Sequence, residues 1–270
     1  MCPLIIASDI CEVKAGLMLN WSGGRSMMGT VRRKVRCGGK PMTAIVLAGG
    51  RGRRMNADKA GLDVGGRTLL EHVLGQIAPY FDEILISVSP GQKVVGRSGG
   101  GRPRTAPQIM SAGASAPLVR IVEDEMPGLG PLGGILSGLR AANNEACAVV
   151  ACDIPEIDLP LLRSLARAAR ETDIAVPVGP SGFYEPLYAI YRMSTIPEIE
   201  ALLSGDERSI LPLFDRCRTA IVRFKDAGRL RNLNTLSDYE TYLRSITRRA
   251  AGRPARRSGR AGKHLSKGTI

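Results

Sequence analysis

The run Ala44-Ile45-Val46-Leu47 stops on the pair Gly49-Gly50, and Arg51, Arg53, Arg54 and Lys59 follow closely behind it. A short apolar segment, β-branched at Ile45 and Val46 and broken by glycine, reads as a buried strand ending in a tight turn. Paired glycines reach backbone angles closed to other residues and let the main chain come close to a ligand. Their amides can converge on an anion, as in other phosphate-binding loops. A turn of bare amides followed by cations suits a nucleoside triphosphate; a plain turn with solvated arginines is the competing reading. Two common phosphate loops are excluded. The chain has no Gly-Lys-Ser/Thr triplet, and Gly50-x-Gly52 meets Met55 where a dinucleotide fingerprint needs its third glycine.

Strand and helix patterns alternate from there. Apolar positions 69, 70, 73, 74 and 77 mark one face of a helix over residues 68–78, with Thr68 as its cap and Pro79 after it. Residues 83–88 and 118–122 read as strands. Between them, residues 90–117 are rich in Gly, Pro, Ser and Ala and read as an irregular insertion. A helix at 132–142, a strand at 146–151, a helix at 159–169 and a strand at 174–178 follow. Beyond these come a strand at 186–191, helices near 196–203 and 210–216, a strand at 219–224 and a closing helix at 237–246. Repeated strand–helix units predict a three-layer α/β fold, with a mainly parallel sheet covered by helices on both faces. Ligands in such sheets bind beyond the carboxyl ends of strands. Gly49-Gly50, Asp124 and Asp153 each follow a predicted strand, so one crevice is expected to collect all three.

The formal net charge of +13 suggests a nucleic-acid binder until it is located. Residues 1–42 carry seven Lys or Arg against two acids, residues 248–270 carry eight and no acid, and residues 43–247 hold 23 of each sign. The basicity belongs to the ends. Aromatic residues make up 4% of the chain and do not interleave with arginine, which argues against a base-stacking surface. No apolar run reaches membrane-spanning length. The six cysteines include no Cys-x-x-Cys pair, which fits reduced thiols in the cytoplasm better than a disulfide framework or a zinc site. Residues 43–247 are therefore read as a single domain. Residues 1–42 are read as a disordered or mis-assigned N-terminal extension, with Met42 as the expected start of translation. Residues 248–270 are read as a disordered basic tail.

Further segments carry chemistry. Asp153 directly follows the apolar run Val149-Val150-Ala151-Cys152 and is backed by Pro155. A carboxylate there is placed to bind a hard divalent ion such as Mg2+, which takes one or two protein carboxylates together with water and phosphates. An aspartate that caps the next turn is the alternative. Asp124 lies ahead of Gly130-Pro131-Leu132-Gly133-Gly134, whose glycines would leave helix N-terminal amides open to an anion or a base edge. Glu185-Pro186-Leu187 and Asn232-Leu233-Asn234-Thr235 come later, Thr235 fitting a cap for the last helix.

In their order along the chain, these segments resemble the nucleotidyltransferase superfamily, and within it the MobA-type molybdenum cofactor guanylyltransferases. The resemblance runs from Thr43 to about Leu243. It rests on Leu47-Ala48-Gly49-Gly50-x-x-x-Arg54-Met55-x-x-x-Lys59, on Asp124 with the Gly130–Gly134 turn, on Cys152-Asp153-Ile154-Pro155, and on the two later segments. Asn56 departs from it, standing where the family commonly has glycine, and the 90–117 insertion is longer than its pattern.

The resemblance implies a Rossmann-like sheet of the nucleotide-diphospho-sugar-transferase kind. It also implies transfer of GMP from GTP to molybdopterin-type molybdenum cofactor, with release of pyrophosphate. In that reaction Leu47, Ala48, Gly49, Gly50, Arg54 and Lys59 would hold the triphosphate, Lys59 balancing charge on the leaving group. Asp153 would bind Mg2+ and Asp124 would orient the nucleoside, while Glu185, Pro186, Asn232 and Asn234 would face the acceptor. Molybdoenzymes or cofactor-insertion proteins would receive the product. A cytidylyltransferase for the same cofactor and a sugar-phosphate nucleotidyltransferase both stay open. A nucleic-acid-binding protein that uses its basic ends is the reading from another class.

Overall fold

The computed structural model describes residues 5–6, 33–49, 59–96, 104–105, 116–205, 207–226 and 228–251. At its centre is a sheet of eight strands. Seven are labelled in chain order: β1 Thr43–Leu47, β2 Glu83–Val88, β3 Leu118–Glu123, β4 Ala146–Ala151, β5 Ile174–Val178, β6 Tyr188–Arg192 and β7 Thr219–Arg223. Across the sheet they run β7-β5-β6-β4-β1-β2-β3, and Ile5–Ile6 adds an edge strand parallel to β7. Helices α1 Leu69–Ile77, α2 Pro131–Ala141, α3 Leu159–Ala168, α4 Ile196–Ser204, α5 Leu211–Arg216 and α6 Leu236–Ala251 complete the fold. All strand neighbours are parallel except β6, which is antiparallel to both β4 and β5. The expected mainly parallel α/β sheet is present. The exception has a local cause: the β5–β6 connection is a tight turn closed by Gly182 N–H to the Gly179 carbonyl at 3.0 Å, too short for a helical crossover.

The side-chain alternation of β1 explains why every one of its residues is buried. Ala44 and Val46 pack into one core with Val73 and Leu74 of α1 and Leu161 and Leu165 of α3. Ile45 and Leu47 point to the opposite face, into a second core with Leu132, Ile135 and Leu136 of α2. A central strand covered on both sides has no polar face, so it reads as a continuous apolar run. Helix α1 begins as its sequence predicts. The Thr68 hydroxyl accepts from the Glu71 amide at 3.1 Å, and the Glu71 carboxylate accepts from the Thr68 amide at 2.7 Å.

At the amino ends of the parallel strands, a buried carboxylate ties the elements together. Glu83 accepts from the Thr43 hydroxyl at 2.5 Å, the Asn143 amide at 2.9 Å and the Arg120 guanidinium at 2.6 Å. Burial pushes the Glu83 carboxyl up, but these donors outweigh it and hold the group below its ordinary value. The ionised form is thus the folded form. This polar anchor fixes the end of the sheet away from the loops described next.

Two boundaries differ from expectation. Residues 33–42, read as extension, belong to the core: Val35 and Met42 are buried, and Arg36–Cys37 pairs antiparallel with Lys40–Pro41. The Val35 amide donates to the Tyr80 carbonyl at 2.9 Å. These two apolar positions stand isolated among Arg, Lys and Gly, so no period marks them. At the other end, α6 continues to Ala251, beyond the expected limit at 247. Within the 90–117 insertion, Val95–Gly96 pairs antiparallel with Arg104–Thr105. The remaining expectations for residues 1–32 and 252–270 lie outside the described residues, apart from Ile5–Ile6.

Candidate active site

After β1 the chain lays β2 and β3 to one side, then returns to place β4 on the other side of β1. That reversal opens a crevice at the carboxyl ends of β1 and β4, the place where open α/β sheets bind ligands. The Cys152 amide donates to the Leu47 carbonyl at 3.0 Å, so Asp153 leaves the sheet directly beside the end of β1. Lys59, in the single-turn helix Lys59–Gly61, reaches it from above. Its Nζ lies 3.1 Å from Asp153 Oδ2 and 3.3 Å from Asn234 Oδ1. The side chains of Lys59 and Asp153 are 17% and 24% exposed, so water screens their attraction less than at an open surface.

The last loop before α6 is pinned over this pair. The Leu233 amide donates to the Asp153 carbonyl at 2.8 Å, while the Leu233 side chain packs with Val64, Leu69 and Tyr242. Asn234 is held by its own amide donating to Asp238 Oδ2 at 3.2 Å, and Thr235 caps α6 as expected, its hydroxyl accepting from the Asp238 amide at 3.1 Å. Asn232 donates from its side chain to Glu185. Glu185 is half-buried just ahead of β6. Burial pushes its carboxyl up, against the bond from Asn232, and the charge of Asp153 adds to the rise. Lys59, Asp153, Glu185, Asn232 and Asn234 thus meet at one end of the sheet, although they come from four separate segments.

The other side of the crevice is built at the ends of β1, β2 and β3. The amides of Ala48 and Gly49 both donate to the Ser87 carbonyl, at 2.8 and 3.0 Å. The neighbouring strand thus engages both amides, which were expected, with Leu47 and Gly50, to hold the triphosphate. Gly49 is required here for closeness: a Cβ would lie 3.0 Å from the Ser89 amide nitrogen. Gln92, which no spacing in the sequence singles out, bridges the same turns. Its side-chain amide donates to the Ala48 carbonyl at 3.0 Å and accepts from the Ser89 amide at 3.1 Å. Seeing it in the sequence would need the register of β1 against β2.

Asp124 lies just past the end of β3, its Oδ1 accepting from the Met126 amide at 2.9 Å. The first turn of α2 abuts it. A Cβ on Gly133 would fall 2.7 Å from Asp124 Oδ1 and 2.9 Å from the Met126 carbonyl, so only glycine fits without displacing the carboxylate. Helix α2 starts at Gly130 without a side-chain cap. Gly50 and Arg54 lie outside the described residues, as do Arg51 and Arg53. Pro186 sits beside Glu185, and its carbonyl accepts from the Tyr191 hydroxyl at 2.9 Å.

Among the described residues, no three His, Cys, Asp or Glu side chains cluster as a metal cage. Asp153 and Glu185 nevertheless lie near enough to sense each other's charge. A hexacoordinate hard cation takes one or two protein carboxylates, with substrate oxygens and water as the rest, and these residue types fit that pattern. A lysine and two asparagine side chains can position polyphosphate and offset its charge, and the group includes no Ser, Thr or Cys.

Comparison with known proteins is consistent with this geometry. The pattern of the family described as "MobA-like NTP transferase domain" matches residues 44–218. A probable molybdenum cofactor guanylyltransferase of Carboxydothermus hydrogenoformans is 30% identical over 210 residues, covering 75% of this chain and 95% of its own. Its counterpart in Mycobacterium marinum is 32% identical over 208 residues, covering 75% and 94%. Among solved structures, molybdopterin-guanine dinucleotide biosynthesis protein A of Archaeoglobus fulgidus superposes with a TM-score of 0.56 at 24% identity, covering 77% of this chain and all of its own. The 2-C-methyl-D-erythritol 4-phosphate cytidylyltransferase of Thermus thermophilus shares the fold, with a TM-score of 0.53 at 18% identity over 77% of this chain and 99% of its own.

Proposed function

We propose that this chain, which belongs to the MobA-like NTP transferase family, transfers GMP from GTP to the molybdopterin form of molybdenum cofactor. A phosphate oxygen of the acceptor attacks the α-phosphorus of GTP. The bond from that phosphorus to the oxygen bridging to the β-phosphate breaks, and pyrophosphate leaves with the bonding electrons. The product is the guanine dinucleotide form of the cofactor. The observation that carries the reading is the meeting of Lys59, Asp153 and Asn234 at the β1–β4 switch point. Chemistry of this kind needs placement and charge neutralisation more than a nucleophilic side chain.

Lys59 offsets negative charge as it grows on the departing pyrophosphate. Asn234 sets the lysine's direction, and Asp124, wedged against Gly133, orients the nucleoside. Glu185 and Asn232 face the acceptor from the opposite wall. Gly50 and Arg54 extend the triphosphate site. The family's reaction uses a divalent metal, and Asp153, with Glu185 beside it, is where Mg2+ would be held. When bound, that ion would neutralise phosphate charge and template the reacting groups.

The reaction is assigned to the cytoplasm. The four described cysteines, all buried and with no disulfide among them, support a reducing setting. No helix among the described residues is long and apolar enough to cross a membrane. Molybdoenzymes or their cofactor-insertion proteins are the receivers of the product. The test is transfer of label: with GTP labelled at the α-phosphate, the label should move into the pterin-containing product. Label that stays with free nucleotide in the presence of molybdopterin would refute the acceptor.

A further inference from the structure

The exposed side of α3 is cationic. Arg163 and Arg167 on the helix and Arg170 just past its end follow one another at i, i+4 and i+7, the spacing of a single stripe, and all three are exposed. The Arg36–Cys37 strand of the N-terminal hairpin lies against the same helix. Arg163 donates to the Arg33 carbonyl at 3.0 Å, and a Cβ on Gly38 would lie 3.9 Å from the Arg170 Cγ, so the hairpin segment follows the stripe along its length. Arg33, Arg36 and Lys40 thereby join the face, all exposed, with Lys34 half-buried beside them.

The acids within reach do not balance these charges. Asp82 is shared by Lys34 and Arg36, at 3.1 and 3.8 Å, and Glu145 is shared by Lys40 and Arg192. Among the described residues Arg163, Arg167 and Arg170 make no ion pair, and neither does the exposed Glu171 next to them. The end of the helix does not require these arginines either. Arg192 already donates to the carbonyls of Ala169 and Arg170, at 3.4 and 3.0 Å. More charge of the same sign starts nearby. Arg249, near the end of α6, pairs with Glu156, three residues ahead of α3, and residues 252–270 hold six Lys or Arg and no acid. The surplus along α3 and the start of the basic C-terminal segment therefore adjoin.

Arginine selects phosphate: its guanidinium stays charged and presents donors in a fork that matches phosphate oxygens. The exposed large apolar side chains among the described residues are Leu118, Ile121, Phe183, Leu211 and Leu236, and none belongs to α3 or the hairpin. The face thus lacks the apolar centre of a protein interface and the apolar side chains by which a helix settles into a membrane surface. Tyr80 lies under the Arg163 guanidinium, 5.8 Å from it, and is 5% exposed, so it offers no ring to an unpaired base. We propose that the α3 face binds the phosphate backbone of duplex nucleic acid without reading its sequence. None of these side chains belongs to the Lys59–Asp153 crevice, so this binding is separate from nucleotide transfer.

The experiment follows the fluorescence anisotropy of a fluorescein-labelled DNA duplex on adding full-length protein over a range of NaCl concentrations. Wild type is compared with Arg167→Gln/Arg170→Gln and with Arg167→Lys/Arg170→Lys. Phosphatidylglycerol vesicles and poly-L-glutamate are the competing probes, standing for a membrane and an acidic protein. Affinity should fall linearly with salt on logarithmic axes, and two duplexes of unrelated sequence should bind within about twofold of each other, because phosphate contacts carry no sequence information. Each lost contact is a factor of about five at about 0.15 M salt, so the glutamine pair should bind roughly 30-fold more weakly, with a salt slope shallower by about two. The lysine pair should stay within about threefold of wild type, and all three proteins should share one thermal midpoint. A glutamine pair that binds the duplex as wild type does would overturn the α3 face and leave the binding to the basic ends of the chain. A lysine pair as weak as the glutamine pair would overturn charge as the cause. Tighter binding of the vesicles or of poly-L-glutamate would overturn the duplex as the occupant, and absence of duplex binding by the wild type would overturn the proposal outright.

Discussion

Lys59 Nζ lies 3.1 Å from Asp153 Oδ2, and the two residues reach each other from opposite sides of the β1–β4 crevice. Asn234, at 3.3 Å from the same ammonium, closes the group. Under the proposed function, a cation fixed this way would be oriented before substrate arrives and would stabilise the transition state without a reorganisation cost. Lys59→Ala should lower kcat by about 100-fold or more with a small change in thermal midpoint. Steady-state pyrophosphate release checks it. A variant within a few-fold of wild type would remove Lys59 from the reaction.

Asp153→Asn keeps the shape of the side chain and removes its charge. The variant should need far more Mg2+ to reach half its maximal rate, since a hard cation prefers a carboxylate to an amide. Metal titration of the rate is the measurement. An unchanged half-saturation would place the metal elsewhere.

Gly133→Ala tests how Asp124 is positioned. The new methyl would sit 2.7 Å from Asp124 Oδ1, a distance that forces the carboxylate or the helix to move. Displacements of this order cost up to about 100-fold in kcat/KM, and here the loss should appear in the constants for GTP while those for the acceptor stay near wild type. Equal losses for both substrates would mean that the substitution acts on the fold.

His72 gives the fold a pH dependence that does not involve the reaction. Its Nε2 lies 2.9 Å from the Tyr242 hydroxyl, joining α1 to α6. Burial holds the imidazole below its ordinary value, against Glu156 and the Pro155 carbonyl, while Arg67 deepens the depression. The folded state therefore favours the neutral ring, and the unfolded chain takes the proton first. Stability from this group is complete above the unfolded value of about 6.5 and falls as the pH drops below it. Thermal midpoints should decline more steeply from pH 7 to pH 5 in the wild type than in His72→Gln. Parallel curves would contradict the assignment.

Much of this architecture is legible in the chain. β2, β4 and β5 begin and end where their apolar runs do, because strands buried on both faces leave no ambiguity of period. Thr68 and Thr235 announce their helices because a cap is a local bond between residues three apart. Asp153 could be singled out by residue type and by its place just past β4, and Lys59 as one of the cations behind the glycine pair and through the family resemblance. Their partners were harder. The Asn232–Glu185 bond and the bridging amide of Gln92 depend on how distant loops fall together once the sheet has closed. The bonds of the Ala48 and Gly49 amides were hidden for the same reason, since their acceptor, the Ser87 carbonyl, belongs to a neighbouring strand. The burial of Val35 and Met42 was not legible because two isolated apolar residues in a basic stretch have no periodicity.

The most direct test of the central claim is pyrophosphate release from GTP, CTP, ATP and UTP with Mg2+, each with and without molybdenum-loaded molybdopterin. The account predicts release from GTP that requires the pterin and is abolished in Lys59→Ala. Preference for CTP would preserve the crevice and its residues while moving the enzyme to cytidylyl transfer. Release from no nucleotide in the presence of the pterin would contradict the assignment of this crevice to molybdenum cofactor chemistry.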